Sequence, residues 1–231
     1  MWVVADGMGG HDAGEVASAM VVEALSQCRP ESSGHSDARD ALAALADVNA
    51  RLVEMAKSGF DSRTIGSTVV GLVADDDAFT CFWAGDSRAY LIRDGAMTRI
   101  TRDHSLVQDL LDAGMIDEAE AEVHPNANII TRAVGAADRL QAETVTGKVL
   151  PGDIFLLASD GLTRIIGDDE LLSGLNGGDL ETSADRLLQL ALDRDAPDNV
   201  SLIIVRAGST TTEPGDGSHM VLQHGHNRNQ Q

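Results

Sequence analysis

Four aspartates share one local pattern: an apolar, strand-like run, then Asp beside Gly or another turn-forming residue. They lie in Val3-Val4-Ala5-Asp6-Gly7, Phe82-Trp83-Ala84-Gly85-Asp86-Ser87-Arg88, Leu156-Leu157-Ala158-Ser159-Asp160-Gly161 and Ala196-Pro197-Asp198-Asn199. A strand end is rigid upstream and open downstream, which suits a carboxylate that must be held in place yet reach a ligand. Hard divalent cations such as Mg²⁺ and Mn²⁺ take such oxygen donors. Any one Asp-Gly pair after a strand reads equally well as a plain turn. The four become a metal site only if they converge. Converged carboxylates would then repel one another and raise their pKa values, a cost that bound cations relieve.

The elements that must position them follow from periodicity. A short apolar run, residues 2–5, empties into a Gly-rich loop. Helical spacing covers about 13–28, with Val16, Met20 and Leu25 on one side, and 36–57, with Leu42, Leu45, Val48, Leu52 and Met55 recurring. Strand character fills 68–74, 78–83, 89–92 and 97–100. Asp75-Asp76-Asp77 reads as a turn and Asp94-Gly95 as a tight hairpin. A mostly helical excursion spans 104–123. Strands near 141–146 and 154–158, helices near 168–175 and 180–194, and a strand at 200–205 complete the order. Strands and helices are grouped rather than alternating, which predicts an α+β fold. The domain is expected over residues 1–207. Residues 208–231, rich in Gly, Thr, Asn and Gln, read as a disordered polar tail in which His224 and His226 are solvated.

The composition narrows the function. The 231 residues are 43% apolar but only 3% aromatic, so the core must be built mainly from Val, Leu, Ile and Ala. The net charge of −20, from 37 acidic and 17 basic residues, disfavours nucleic-acid partners. Cys28 and Cys81 have no metal-ligand spacing and read as reduced buried thiols. No apolar run approaches the ~20 residues of a membrane helix, and residues 1–6 are too soon interrupted by charge to be a signal peptide. A cytoplasmic monomer without membrane contact is the expectation. A Ser-His-Asp hydrolase is disfavoured because no Gly-x-Ser-x-Gly elbow occurs and Ser87 reads as a turn residue.

The wording of the motifs goes further. Val4-Ala5-Asp6-Gly7-Met8-Gly9-Gly10-His11, followed by Gly14-Glu15-Val16-Ala17-Ser18, resembles the bacterial branch of the metal-dependent type 2C Ser/Thr protein phosphatases. In order come Ile65-Gly66-Ser67-Thr68, Gly85-Asp86-Ser87-Arg88, Asp103-His104-Ser105, Ile130-Thr131-Arg132-Ala133-Val134-Gly135, Ser159-Asp160-Gly161-Leu162 and Pro197-Asp198-Asn199-Val200. Each tetrapeptide is weak alone, whereas the ordered series is specific.

This resemblance implies a sandwich of two antiparallel β-sheets flanked by helices on both faces, a four-layer α-β-β-α arrangement. It implies Mn²⁺ or Mg²⁺ as cofactor, with two ions per chain. Asp6 would bridge them, Asp160 and Asp198 would complete one shell, and the Gly7 carbonyl would contact the other ion. Asp86 with Asp160 would hold a third ion. The implied activity is hydrolysis of phosphoserine and phosphothreonine in proteins by in-line attack of a metal-activated water. The implied partners are phosphorylated proteins and a cognate bacterial Ser/Thr kinase.

Met8 stands where some members carry a histidine proposed as leaving-group acid, so protonation would fall to a metal-bound water, and His11 reads as structural. Residues 104–132 resemble the family's flap, and Asp109, Asp112, Asp117, Glu118, Glu120 and Glu122 there would favour basic residues beside the phosphosite, or simply form a solvated face. Members usually begin with an Arg-x-x-Asn-Glu-Asp segment carrying a phosphate-binding arginine and a further carboxylate. The expectation is that the true start lies upstream and Met1 is internal. The alternative is a catalytically weak, phosphatase-like binding or regulatory protein lacking that segment.

Overall fold

Alternation along the strands splits the apolar residues between two faces, and both faces find partners. The computed structural model describes residues 1–9, 11–28, 38–58, 65–75, 77–176, 179–208 and 222–226. The first half runs β1 (Trp2–Val4), β2 (Gly7–Met8), α1 (His11–Ser26), α2 (Ala38–Ser58), β3 (Gly66–Ser67), β4 (Val69–Ala74), β5 (Ala78–Ala84), β6 (Arg88–Arg93) and β7 (Ala96–Arg99). Two short helices follow, α3 (Leu106–Asp112) and α4 (Glu118–Glu122), then β8 (Glu143–Lys148) and β9 (Ile154–Ala158). The rest is α5 (Asp160–Thr163), α6 (Asp168–Leu175), α7 (Leu180–Asp193), β10 (Val200–Arg206) and β11 (Leu222–His226).

The pairings are antiparallel throughout. One sheet has the order β1-β4-β5-β8, a second has β11-β10-β9-β6-β7, and β2 pairs with β3 in a small ribbon. Val70, Leu72, Cys81 and Trp83 of the first sheet face Phe155, Leu157, Ile203 and Val205 of the second across a shared core. The Phe79 and Phe155 rings meet edge-to-face there, with centroids 5.0 Å apart. The alternate residues Val69, Phe82 and Ala84 turn outward and pack under α1 and α2 against Ala17, Val21, Leu45 and Leu52. Leu156, Ala158, Leu202 and Ile204 do the same on the other side, beneath Leu162, Leu171 and Leu187. The central strands β4, β5, β9 and β10 thus bury both faces, giving the α-β-β-α sandwich expected.

Local chemistry sets the boundaries. Asp94 and Gly95 both adopt positive φ, 51° and 78°, as a two-residue hairpin turn requires. Asp117 caps α4, accepting from the Glu120 N–H at 2.8 Å while the Glu120 carboxylate accepts from the Asp117 N–H at 3.0 Å. Two of the acidic residues read as a solvated face are therefore a capping box. A third, Asp112, is paired with Arg102.

Two readings of the sequence differ from the structure. Asp160 was expected in a turn; instead it opens the one-turn helix α5, too short for periodicity to reveal. Residues 222–226, expected within a disordered tail, form β11 on the edge of the second sheet. The alternating order Leu-Gln-His-Gly-His there carries too little apolar content to read as a strand alone, and the pairing comes from the backbone of β10. The other residues of that segment, apart from Gly208, lie outside those described. Both cysteines are free. Among the described residues no helix is long and apolar enough to cross a membrane.

Candidate active site

The strand register brings the four aspartates to one end of the sandwich. Val4, the last residue of β1, is paired with Val70, and Val69 with Ala84, so Asp6 and the Gly85-Asp86 turn leave the first sheet at the same edge. Ala158, the end of β9, is paired with both Arg88 and Leu202, so Asp160 emerges between the starts of β6 and β10. Asp198 lies two residues before the start of β10.

Hydroxyl and backbone hydrogen bonds fix these loops to one another. The Thr68 hydroxyl accepts from the Asp6 N–H at 3.2 Å and lies 2.8 Å from the Ser87 hydroxyl, while the Thr68 N–H donates to the Asp6 carbonyl at 2.8 Å. Thr68 therefore joins the Asp6 loop to the Asp86 turn. On the other side, the Ser159 hydroxyl accepts from the Ser201 N–H at 3.1 Å and donates to the Asn199 carbonyl at 3.3 Å, tying the base of α5 to the loop that carries Asp198. Gly7 pairs with Ser67 through β2 and β3, and its backbone packs so closely on Gly14 of α1 that a β-carbon would lie 2.0 Å from the Gly14 carbonyl oxygen.

The electrostatics record the convergence. Burial, and then the nearby Asp160 and Asp198 carboxylates, push the Asp6 pKa up to about 8, and a hydrogen bond between the Asp6 and Asp160 carboxyl groups adds to the rise. Asp86 is buried and pushed up to about 6 by burial and by Asp160, with Arg164 pulling the other way. Asp198 is exposed at the mouth. Asp6, Asp160, Asp198 and Asp86 thus form one acidic cluster deficient in positive charge.

Arg164 partly meets that deficit. Its Nε donates to Asp160 Oδ2 at 2.9 Å and its Nη2 to Asp86 Oδ2 at 3.0 Å, and its Nη1 bonds Asn128. Among the described residues, no three His, Cys, Asp or Glu side chains already stand as a cage for one ion. Arg164 holds Asp160 and Asp86 on one guanidinium. The donor chemistry fits a hard divalent cation, since every candidate is a carboxylate or carbonyl oxygen and the four carboxylates outnumber the one guanidinium among them.

The flap segment is anchored beside this cluster through His104, which is 4% exposed. Its N–H donates to the Gly85 carbonyl at 2.9 Å, its carbonyl accepts from the Thr131 N–H at 2.8 Å, and its Nδ1 accepts from the Gly85 N–H at 3.2 Å. The ring proton therefore sits on Nε2, 3.3 Å from Glu143, which also binds Arg132 at 2.6 Å. The imidazole stacks on Trp83. Burial and Arg132 lower the His104 pKa and keep the ring neutral. Met8 is half-buried in β2 and carries no proton to donate. The His11 side chain lies outside the described residues.

Sequence reasoning missed Arg164, Thr68 and Asn49. Thr68 was seen only as part of a motif, and Arg164 lies four residues after Asp160, one helical turn, a spacing that could have flagged it. Asn49, 2% exposed in α2, accepts from the Gly135 N–H at 2.8 Å and donates to the Ala137 carbonyl at 2.9 Å, holding the end of the flap. Nothing in a helical asparagine alone announces partners more than eighty residues away.

Comparison with known proteins agrees with this architecture. The family model described as "Protein phosphatase 2C" matches residues 1–198. The serine/threonine protein phosphatase PstP of Mycobacterium tuberculosis is 35% identical over 201 residues, covering 87% of this chain; the chain spans only 39% of that relative's length. A solved structure described as PppA, a key regulatory component of T6SS in Pseudomonas aeruginosa, is 42% identical with a TM-score of 0.80, covering 89% of this chain and 85% of that one. The catalytic domain of PstP in complex with two manganese ions is 33% identical with a TM-score of 0.76, covering 87% and 85%. The chain belongs to the protein phosphatase 2C family.

Proposed function

We propose that this chain is a metal-dependent protein phosphatase that hydrolyses phosphoserine and phosphothreonine in proteins, using Mn²⁺ or Mg²⁺ held by Asp6, Asp160, Asp198 and the Gly7 carbonyl. The observation that carries this reading is the convergence of Asp6, Asp160 and Asp198, where burial and then the neighbouring carboxylates push the Asp6 pKa up to about 8. A relative of the same fold binding two manganese ions supports two ions here. Asp86 with Asp160 is the candidate pair for a third.

When bound, divalent cations activate water for in-line attack at phosphorus and neutralise charge on the phosphoryl oxygens. The chain's own part is placement. Thr68 and Ser159 fix the backbone of the loops from which the carboxylates project, so little reorganisation is needed at the moment of reaction. Neither Met8 nor the buried His104, whose pKa is lowered, offers a proton beside Asp6. Asp198, exposed at the mouth, keeps one side open to a phosphorylated loop of another protein. The segment 104–132 is closed at its base by the bond between the Thr131 N–H and the His104 carbonyl, and Asn49 holds Gly135 and Ala137 just beyond it, which suits a specificity element. Substrates phosphorylated by a bacterial Ser/Thr kinase, action as a monomer and a cytoplasmic location complete the reading.

Release of p-nitrophenol from p-nitrophenyl phosphate with Mn²⁺, followed by release of phosphate from a phosphothreonine peptide, tests it. The expected result is turnover abolished by a chelator and by Asp160→Asn. Metal-independent turnover, or a fully active Asp160→Asn protein, would contradict it.

A further inference from the structure

Arg164 has a role that the family resemblance does not supply. It occupies the C-cap of α5 and reaches back across the helix, so that one guanidinium contacts Asp160 at 2.9 Å, Asp86 at 3.0 Å and Asn128. Asp86 leaves the first sheet, Asp160 leaves the second, and Asn128 belongs to the flap. The Asp86 side chain is only 7% exposed, and Asp160 and Asp103 both add to its negative surroundings. A buried carboxylate so placed needs a cation. Guanidinium is permanently charged and forks two ways, so it can serve two carboxylates at once without titrating.

We propose that Arg164 is a built-in cation of the active site, filling the place between Asp86 and Asp160 that a third divalent ion would otherwise take, and linking its occupancy to the flap through Asn128. The proposal rests on the metal-centre reading above. With the guanidinium in place, Asp86 and Asp160 offer an incoming ion about half the negative charge of the bare pair, and an ion entering between them must displace Arg164. Displacement breaks the contact with Asn128 as well. Ion occupancy at that position and the tethering of the flap are therefore mutually exclusive in this chain.

The test is calorimetric titration of the full chain with Mn²⁺, comparing the unaltered protein with Arg164→Gln, Arg164→Ala and Arg164→Lys, each checked for folding by thermal melting. In Arg164→Gln and Arg164→Ala the weakest class of Mn²⁺ sites is expected to tighten by about tenfold or more, or one further ion to appear, the least expected of removing a unit charge at contact distance near a protein surface. Arg164→Lys should lie close to the unaltered protein, because its charge is retained. Hydrogen exchange around residues 126–130 should quicken in Arg164→Gln without metal, and in the unaltered protein once the weakest site is saturated.

Equal stoichiometry and affinity in all four proteins would overturn the proposal while leaving the metal centre intact. Absence of Mn²⁺ binding in all four would remove the metal-centre reading and this proposal with it.

Discussion

A β-carbon on Gly161 would lie 2.3 Å from the carbonyl oxygen of Asn199. The first turn of α5 and the loop before β10 are thus in backbone contact, and the residues just before each glycine and asparagine are Asp160 and Asp198. The approach of two carboxylates from separate strands is set by the lack of a side chain between them. Gly161→Ala should push the loops apart, destabilise the fold by about 1–3 kcal/mol as overpacking does, and weaken Mn²⁺ binding at least tenfold while circular dichroism remains native. Titration with Mn²⁺ checks this; unchanged affinity would mean that the contact does not set the carboxylate spacing.

Thr68 offers a cleaner separation of hydroxyl from shape. Its buried Oγ1 serves both the Asp6 N–H and the Ser87 hydroxyl. Thr68→Val keeps the volume and leaves two polar groups unpaired, which should cost about 1–3 kcal/mol in denaturant unfolding. Thr68→Ser keeps the hydroxyl and should lose less. Equal destabilisation of the two variants would assign the effect to the methyl group instead.

The pH dependence of stability has a definite sign without metal. The folded pKa of Asp6, about 8, lies above its usual value of 3.8. Between those values the folded state binds more protons than the unfolded state, so the Asp6 contribution to stability falls as pH rises through that window. Asp86, at about 6, acts the same way over a shorter range. His104, whose pKa is lowered, acts oppositely as pH drops below its ordinary value of 6.5. Comparison with Asp6→Asn isolates the effect: in chelator, the melting temperature of the unaltered protein should fall more between pH 5 and pH 8 than that of the variant. Mn²⁺ should remove most of the difference. Parallel curves for the two proteins would contradict the assignment.

His104 ties the flap base to the Asp86 turn through one backbone bond and one ring bond, both to Gly85. His104→Ala removes the ring, leaving the Gly85 N–H unpaired and the Trp83 stacking lost, at about 2 kcal/mol or more. Hydrogen exchange should quicken across residues 106–129 before it does so in β5 or β9. Uniform quickening over the whole chain would show that the ring serves general stability only.

Much of this was legible in the sequence because strand ends and turn residues are local features. The β-rich apolar runs placed β4, β5, β9 and β10, Asp94-Gly95 set a hairpin, and the Asp-before-turn pattern singled out all four clustered carboxylates. The short helix α5 escaped because four residues cannot show a 3.6-residue period. Strand β11 escaped because its pairing comes from β10 rather than from its own side chains. Thr68 and Asn49 escaped because they act through partners that only the folded chain brings near; Arg164 has one local partner, Asp160, but its contacts with Asp86 and Asn128 likewise need the fold.

The cluster of Asp6, Asp160 and Asp198 is the centre of the account, and manganese anomalous scattering from crystals of this chain grown with Mn²⁺ addresses it most directly. The predicted result is two peaks within bonding distance of these carboxylates, one bridged by Asp6, with the peaks lost in Asp6→Asn. Peaks confined to other surfaces, or none under conditions that support turnover, would contradict it.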